Sequence, residues 1–469
     1  MTEPSHRSAA ADRALNNSPP ALSDQTRARL NQRLRQGQRD GRLPSLVAGV
    51  FAAGVPLWTG ACGSIDGRPG GVDASPEFGY RIGSITKTFV AVSVLRLAAA
   101  GAIELDDSIR DRLPELPGEF GPVTTTSLLT HTSGLPAEIA GQWWERVPGM
   151  SWAQLAPTLR RLTPVGQKFH YSNAGFAVLG ELIHRVSGQT WWKVVQTELL
   201  GPLGMTSTRY LPDDRCVPGW AVHPFLDLIQ AEPAEDAAAA APAGQLWSTV
   251  ADLARWGSFL ADGDEKILPS EWHERMVTPV AIHDAPDQPW VGAHGLGVEV
   301  FNHDGDRRIG HGGSMPGFLA GLAVRPNGLG VTVLANATTG LERRLAADLL
   351  EIATDGWLPE IAPWQADQSQ REVIELAGLW YWGTTPVLFR AWAQGCELVP
   401  VGVGRGARFR ATGPGEWLGL DGYYAGELLR VLSGGAGQPV LDCGTFRFTR
   451  TPYDPDGDTP GRLDQQGWH

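Results

Sequence analysis

The sequence predicts two domains of different class. The first is a large α/β (α+β) domain, an antiparallel sheet flanked by helices with a helical lobe inserted, and the second is a small C-terminal all-β barrel. Three observations carry this reading. Strand-like runs near residue 50 and near residue 330 bracket a mainly helical middle. Beyond Trp357 the texture changes to short apolar runs divided by glycines. A chain of 469 residues with 42% hydrophobic content has enough material for more than one core. The expected boundaries are a disordered tail over 1–21, the large domain over 22–358, a polar linker over 359–371, the barrel over 372–453 and a tail over 454–469.

Taken in order, residues 22–42 form a basic amphipathic stretch that predicts the first helix of the large domain, its charges on a solvated face. Residues 46–52 (Leu-Val-Ala-Gly-Val-Phe-Ala) and 57–60 (Leu-Trp-Thr-Gly) predict a β-hairpin. A helix is expected from Ser84, because Phe89, Val90, Val92, Val94, Leu95 and Leu97 run without a breaker until Gly101, a natural C-terminal stop. Trp143-Trp144, Trp152 and Trp191-Trp192 supply apolar bulk to the lobe. The first pair follows Gly134-Leu135-Pro136 and is the candidate lining of an apolar acyl or aromatic pocket, with Trp143 a candidate substrate contact. Residues 232–242 read as a mobile surface loop bordering the cleft, before Thr249 caps the next helix. Strands follow at 321–324 and 330–336. In the C-terminal region the clearest strands are 387–390, 397–399, 417–420, 428–431 and 445–448, which suit a small barrel or sandwich.

The most informative short run is Gly83-Ser84-Ile85-Thr86-Lys87. Serine and lysine three residues apart at a helix start lie on one face, a turn apart. A lysine on an apolar face is neutralised or held by partners, and once it gives up its proton it can accept the one that Ser84 must lose. Only four of the 39 basic residues are lysines, so a lysine here is unusual. A Ser-x-x-Lys match alone arises often by chance. Two further segments give it weight: Tyr171-Ser172-Asn173 and His311-Gly312-Gly313-Ser314. Singly, each has a plain structural reading as a loop, a turn or a helix terminus.

With these three motifs on the page, the chain resembles the serine hydrolases of the β-lactamase and penicillin-binding-protein superfamily, in its class C and esterase-like branch. The pattern Ser-x-x-Lys, Tyr-x-Asn and a Lys/His-x-Gly strand is its signature. Leu128-Leu129-Thr130-His131-Thr132-Ser133-Gly134-Leu135-Pro136 and Pro242-Ala243-Gly244-Gln245-Leu246-Trp247-Ser248-Thr249 look like structural segments of the same branch, and the matches span roughly residues 22–355. The resemblance implies a β-lactamase/transpeptidase-like fold. The C-terminal region, with Gly378-Leu379-Trp380 near its start, resembles the lipocalin-like domain that accompanies some members. Gly312-Gly313-Ser314-Met315-Pro316 nearly spells the Gly-x-Ser-x-Gly elbow of α/β-hydrolases, but proline takes the last position and no elbow follows downstream.

The expected roles are these. Ser84 is the nucleophile, Lys87 and Tyr171 act as base and acid, and Asn173 orients them. Tyr171 serves either as phenolate or as a hydrogen-bonded relay with Lys87. Gly312 and Gly313 let a strand approach the substrate, and the amides of Ser84 and Ser314 are the expected oxyanion donors. His311 stands where penicillin-recognising relatives carry the lysine of Lys-Thr-Gly, which argues against tight binding of a penicillin-type carboxylate. A histidine there can be a switchable donor near neutral pH and assist deacylation. Arg450 could reach a substrate carboxylate if the barrel docks over the cleft.

The substrate expected is a small-molecule ester, a D-amino-acid amide or a peptidyl thioester, and the first use proposed is hydrolysis. An alternative transfers the acyl group to an amine, as the penicillin-binding-protein-type thioesterases that cyclise nonribosomal peptides do. A second alternative is a non-catalytic binding module with the same cleft. A net charge of −12, with scattered arginines, argues against nucleic acid or an anionic membrane as partner. Oligomeric state is left open. Cys62, Cys216, Cys396 and Cys443 are widely spaced and the eleven histidines show no ligand spacing, so neither disulfide, metal nor cofactor is expected. Without an apolar segment at the N-terminus suited to export or any run able to cross a bilayer, the expected location is cytoplasmic.

Overall fold

A computed structural model describes residues 22–303, 305–356, 371, 373–392, 395–433 and 438–452. The expected tails over 1–21 and 454–469, and nearly all of the linker, lie outside the described residues. The chain divides into two units, with the boundary between Gly356 and Arg371.

The larger unit opens with α1 (Asp24–Asp40), β1 (Ser45–Ala52), β2 (Val55–Gly63) and the short β3 (Tyr80–Arg81). The helical lobe follows as α2 (Thr86–Ala99), α3 (Thr125–Leu129), α4 (Trp152–Leu155), α5 (Asn173–Ser187) and α6 (Trp191–Val195). Then come β4 (Trp220–Val222), β5 (Ile229–Ala231), β6 (Trp247–Ser248), α7 (Val250–Asp262) and α8 (Ser270–Val277). The unit finishes with β7 (Ala281–Ile282), β8 (Gly292–His294), β9 (Glu299–His303), β10 (Asp306–Met315), β11 (Phe318–Val324), β12 (Gly330–Ala335) and α9 (Leu345–Gly356).

Strands from both ends of this unit make one antiparallel eight-stranded sheet, ordered β2-β1-β12-β11-β10-β9-β8-β7. The join is the β1–β12 pair, in register from Leu46↔Ala335 to Phe51↔Gly330. β1 is buried throughout, because both its faces are covered. Leu46, Ala48 and Val50 pack into the core beneath α1 and α9. Val47 and Phe51 point into the core shared with α7 and the lobe, the period-two alternation of a strand. α1 is held to α9 by Arg33, whose guanidinium lies 2.8 Å from Asp348 and 2.6 Å from Glu342. Ser23 caps α1 by accepting from the Thr26 amide, and Thr249 caps α7 by accepting from the Asp252 amide.

One sequence expectation is corrected here. Residues 232–242 do not form a mobile surface loop to their end: Ala238–Ala243 is a 3₁₀ turn with Ala240, Ala241, Pro242 and Ala243 buried. The small apolar side chains that read as a loop are also what lets this backbone press against α5, where Gly180 leaves room for the Pro242 ring.

The C-terminal unit is a meander: β13 (Gly378–Trp382), β14 (Thr385–Trp392), β15 (Gly395–Pro400), β16 (Ala407–Gly413), β17 (Glu416–Gly419), β18 (Leu428–Ser433), β19 (Pro439–Cys443) and β20 (Phe446–Phe448). Each strand pairs with the next. Tyr381 and Thr449 then exchange hydrogen bonds of 2.8 and 2.9 Å between first and last strands, so the barrel is nearly closed. Its core gathers Trp380, Val387, Phe389, Leu398, Phe409, Trp417, Leu429 and Leu441. All four cysteines are free. Among the described residues no helix is long and apolar enough to cross a membrane.

Candidate active site

Gly83–Ile85 forms a 3₁₀ turn that runs directly into α2. The Ile82 amide donates to Leu246 O at 2.8 Å, and the Leu246 amide donates to Thr86 Oγ1 at 3.1 Å, which ties the turn to the segment before β6. Lys87 leaves the helix one turn later with its side chain fully buried. Its Nζ lies 2.9 Å from Ser84 Oγ, 2.7 Å from Asn173 Oδ1 and 2.6 Å from Ala243 O.

Burial penalises the ammonium and brings the Lys87 pKa down from its ordinary value to about 7, with the carboxylates of Glu138, Glu299 and Glu145 opposing the fall. Hydrogen counting then gives the neutral amine a direction. Asn173 Oδ1 and Ala243 O can only accept, so they take its two N–H groups and leave the lone pair toward the Ser84 hydroxyl. Asn173 cannot present its amide the other way round. Its Nδ2 donates to Glu138 at 2.9 and 3.1 Å, and Glu138 also accepts from Trp144 Nε1 at 2.8 Å.

Tyr171 lies across the site, hydrogen-bonded to Ser84 and with its ring centroid 5.0 Å from Lys87 Nζ. Burial raises its pKa well above the ordinary tyrosine value, more than the Ser84 hydrogen bond lowers it. The phenolate form expected as one option from the sequence is therefore disfavoured, and the relay form remains. Behind it His131 stacks at 4.3 Å. His131 has a left-handed φ of 58° and accepts the Ser172 amide on Nδ1 at 3.0 Å, which fixes the Tyr-x-Asn segment from behind.

The strand β10 closes the other side. A Cβ on Gly83 would sit 2.5 Å from Ser314 N, and one on Gly313 would sit 2.0 Å from Ile82 O. Two bare backbones can approach so closely only where both lack side chains. The Ser84 turn and the Ser314 backbone consequently adjoin. His311 is buried on the same strand, its Nδ1 2.6 Å from Gly312 O and its ring 6.1 Å from that of Tyr171. Burial lowers its pKa, with Lys87 adding to the fall and Glu299 opposing it. The shift favours the neutral ring, and with Nδ1 turned to the Gly312 carbonyl it leaves Nε2 as the acceptor.

Two expected substrate contacts have the following surroundings. Trp143 is largely exposed and lies under the Arg146 guanidinium at 3.6 Å, while its neighbour Trp144 is buried and holds Glu138. Arg450 belongs to the C-terminal unit, where its guanidinium covers the Trp380 ring at 4.0 Å and donates to the carbonyls of Glu375, Ala377 and Leu379. Its donors are engaged with the barrel's own backbone.

The sequence reading missed Glu138, His294 and Glu299. Glu138 carried a usable signal, a carboxylate two residues past Leu135-Pro136. His294 and Glu299 carried none, because their meeting with His311 depends on the register of three consecutive antiparallel strands, β8, β9 and β10.

A family model described as Beta-lactamase matches residues 30–355. The chain belongs to this family. Within it, the chain is 24% identical over 360 residues to β-lactamase-like protein 2 of Dictyostelium discoideum, covering 72% of this chain and 64% of that protein, so it spans less than two thirds of that relative. It is 26% identical to penicillin-binding protein 4 of Amycolatopsis lactamdurans, covering 72% of this chain and 90% of the relative. The D-stereospecific amidohydrolase from Streptomyces sp. superposes with a TM-score of 0.57 at 26% identity, over 72% of this chain and 99% of that one. The barrel region, residues 369–450, matches a domain of unknown function, DUF7586. The large unit is thereby a β-lactamase/transpeptidase-like fold of the superfamily of serine hydrolases.

Proposed function

We propose that the protein is a serine acyl hydrolase acting through an acyl-enzyme on Ser84, with esters and D-amino-acid amides as its substrate class. The observation that carries this is the buried Lys87 Nζ, 2.9 Å from Ser84 Oγ with its two other contacts both acceptors. As Ser84 Oγ attacks the acyl carbon, its proton passes to the Lys87 lone pair. The amides of Ser84 and Ser314 hold the oxyanion. Collapse expels the leaving group, which takes a proton relayed through the Tyr171 hydroxyl from Lys87. Water then attacks the Ser84 ester, its proton accepted at His311 Nε2, and Ser84 is released. The preference for a D-configured acyl donor is supported by the similarity to an amidohydrolase of that stereospecificity.

A second reading has an amine take the acyl group in place of water, giving a cyclised peptide from a peptidyl thioester. It is favoured by the burial of Lys87 and His311, which limits water at the point of deacylation. One experiment tests both: treatment with a fluorophosphonate, then turnover of a p-nitrophenyl ester, a D-phenylalanine amide and a peptidyl thioester mimic, with the adduct located by mass spectrometry. Labelling at Ser84 with free acid as product supports hydrolysis, and a cyclic product supports transfer. No adduct at Ser84 leaves a binding module.

A further inference from the structure

Along the sequence the histidines show no ligand spacing, yet the sheet brings two of them to a carboxylate. His294 ends β8, Glu299 begins β9 and is its cross-strand partner, and His311 lies on the neighbouring β10. One donor atom from each of the three lies within 4.8 Å of the others. Hydrogen bonding identifies the two nitrogens. His294 Nδ1 is 2.5 Å from His283 Nε2, and His311 Nδ1 is 2.6 Å from Gly312 O, so each ring presents Nε2 to the group.

The decisive atom is His294 Nε2. It is buried in a residue 1% exposed and has no hydrogen-bond partner. An orphaned buried polar atom is costly, so it calls for an occupant. The remaining contacts have the form of a metal centre's outer shell. Each ligand imidazole hands its other nitrogen to an acceptor, His283 in one case and a backbone carbonyl in the other, which fixes tautomer and ring orientation.

We propose that His294, Glu299 and His311 bind one divalent transition-metal ion of the zinc class, and that its binding switches the Ser84 reaction off. Two imidazoles and one carboxylate are three protein ligands, leaving a fourth position for water, and imidazole nitrogen selects such ions over magnesium or calcium. Ligands on one tetrahedral ion sit roughly 3.3 Å apart for bonds of about 2 Å, so the three side chains close inward on binding. The inhibitory half rests on the reading of His311 given above. A metal on His311 Nε2 occupies the lone pair that accepts the deacylating proton.

The test uses the full-length chain, freed of metal with a chelator. Zinc is titrated by calorimetry into the wild type and into Ser84→Ala, and cobalt is followed by its visible absorption. One zinc per chain in both proteins is expected, with tetrahedral cobalt bands and no response to magnesium. Glu299→Gln, half-buried and isosteric, is expected to weaken zinc at least about tenfold, and His294→Gln to abolish binding, with near-ultraviolet circular dichroism checking that each is folded. Zinc binding unchanged in Glu299→Gln overturns the site whatever His294→Gln does. Ester hydrolysis that falls with zinc and returns with chelator supports the inhibitory half. Full turnover by zinc-loaded protein overturns that half alone, and absence of Ser84 labelling with intact zinc binding overturns the hydrolase reading and leaves the metal site standing.

Discussion

In the proposed reaction Lys87 is the base, and a base must be unprotonated at the working pH and still close to the proton it takes. Its folded pKa of about 7 is set first by burial and raised in part by Glu138, Glu299 and Glu145. Acylation should therefore rise with pH through about 7 and level off above it, since the lone pair exists only above that value. Glu138→Gln removes a charge that favours the ammonium, so the rising limb of kcat/KM should move to lower pH. A limb that moves upward or stays in place would show that Glu138 acts on Lys87 in some other way. Lys87→Met should lower the acylation rate by about 10²–10⁴-fold, the usual worth of a positioned general base, with circular dichroism checking that the variant is folded. Stopped-flow fluorophosphonate labelling measures it.

What brings the Ser84 and Ser314 amides of the proposed oxyanion site together is the contact of two elements, the Gly83–Ile85 turn and β10. Gly313→Ala forces a Cβ to within 2.0 Å of Ile82 O, and overpacking of this kind costs typically 1–3 kcal/mol. The variant should melt lower and lose labelling at Ser84, while Gly312→Ala, where nothing lies within 4 Å of the added carbon, should melt as the wild type. Equal melting of the two would remove the argument for a backbone contact there. The same elements explain what could be read in advance. The Ser84–Lys87 pair, the helix behind it and the β1–β2 hairpin are local, and hydrophobic periodicity with a glycine stop announces them. In the barrel the strands β13, β16 and β19 went unread: tryptophan and tyrosine fill successive positions of β13, two arginines flank Phe409 in β16, and β19 opens on Pro439 and carries Asp442. His131 behind Tyr171 depends on a left-handed backbone, and His294 and Glu299 depend on strand register, neither of which has a local signature.

The large unit holds a core on each face of its sheet and the barrel holds a third, and the chain divides into two units. Calorimetry of the intact protein is expected to show two transitions, the larger from residues 22–356. Phosphonylation of Ser84 should shift only the larger one, and a shift of both would mean that the two units melt as one. The sequence announced the change of class near residue 357 through its glycine spacing, whereas the near closure of the barrel rests on a single bridge between Tyr381 and Thr449 that no pattern foretells.

The sheet's central join has a consequence for how the protein is made. β1 emerges from the ribosome early, yet its partner β12 is among the last strands of the unit to be synthesised. Until then β1 is an apolar strand with one edge unpaired, exposed to wrong partners. The Ser84–Lys87 segment is likewise synthesised long before the strands that complete its surroundings, so fluorophosphonate should label Ser84 only in chains released beyond β12.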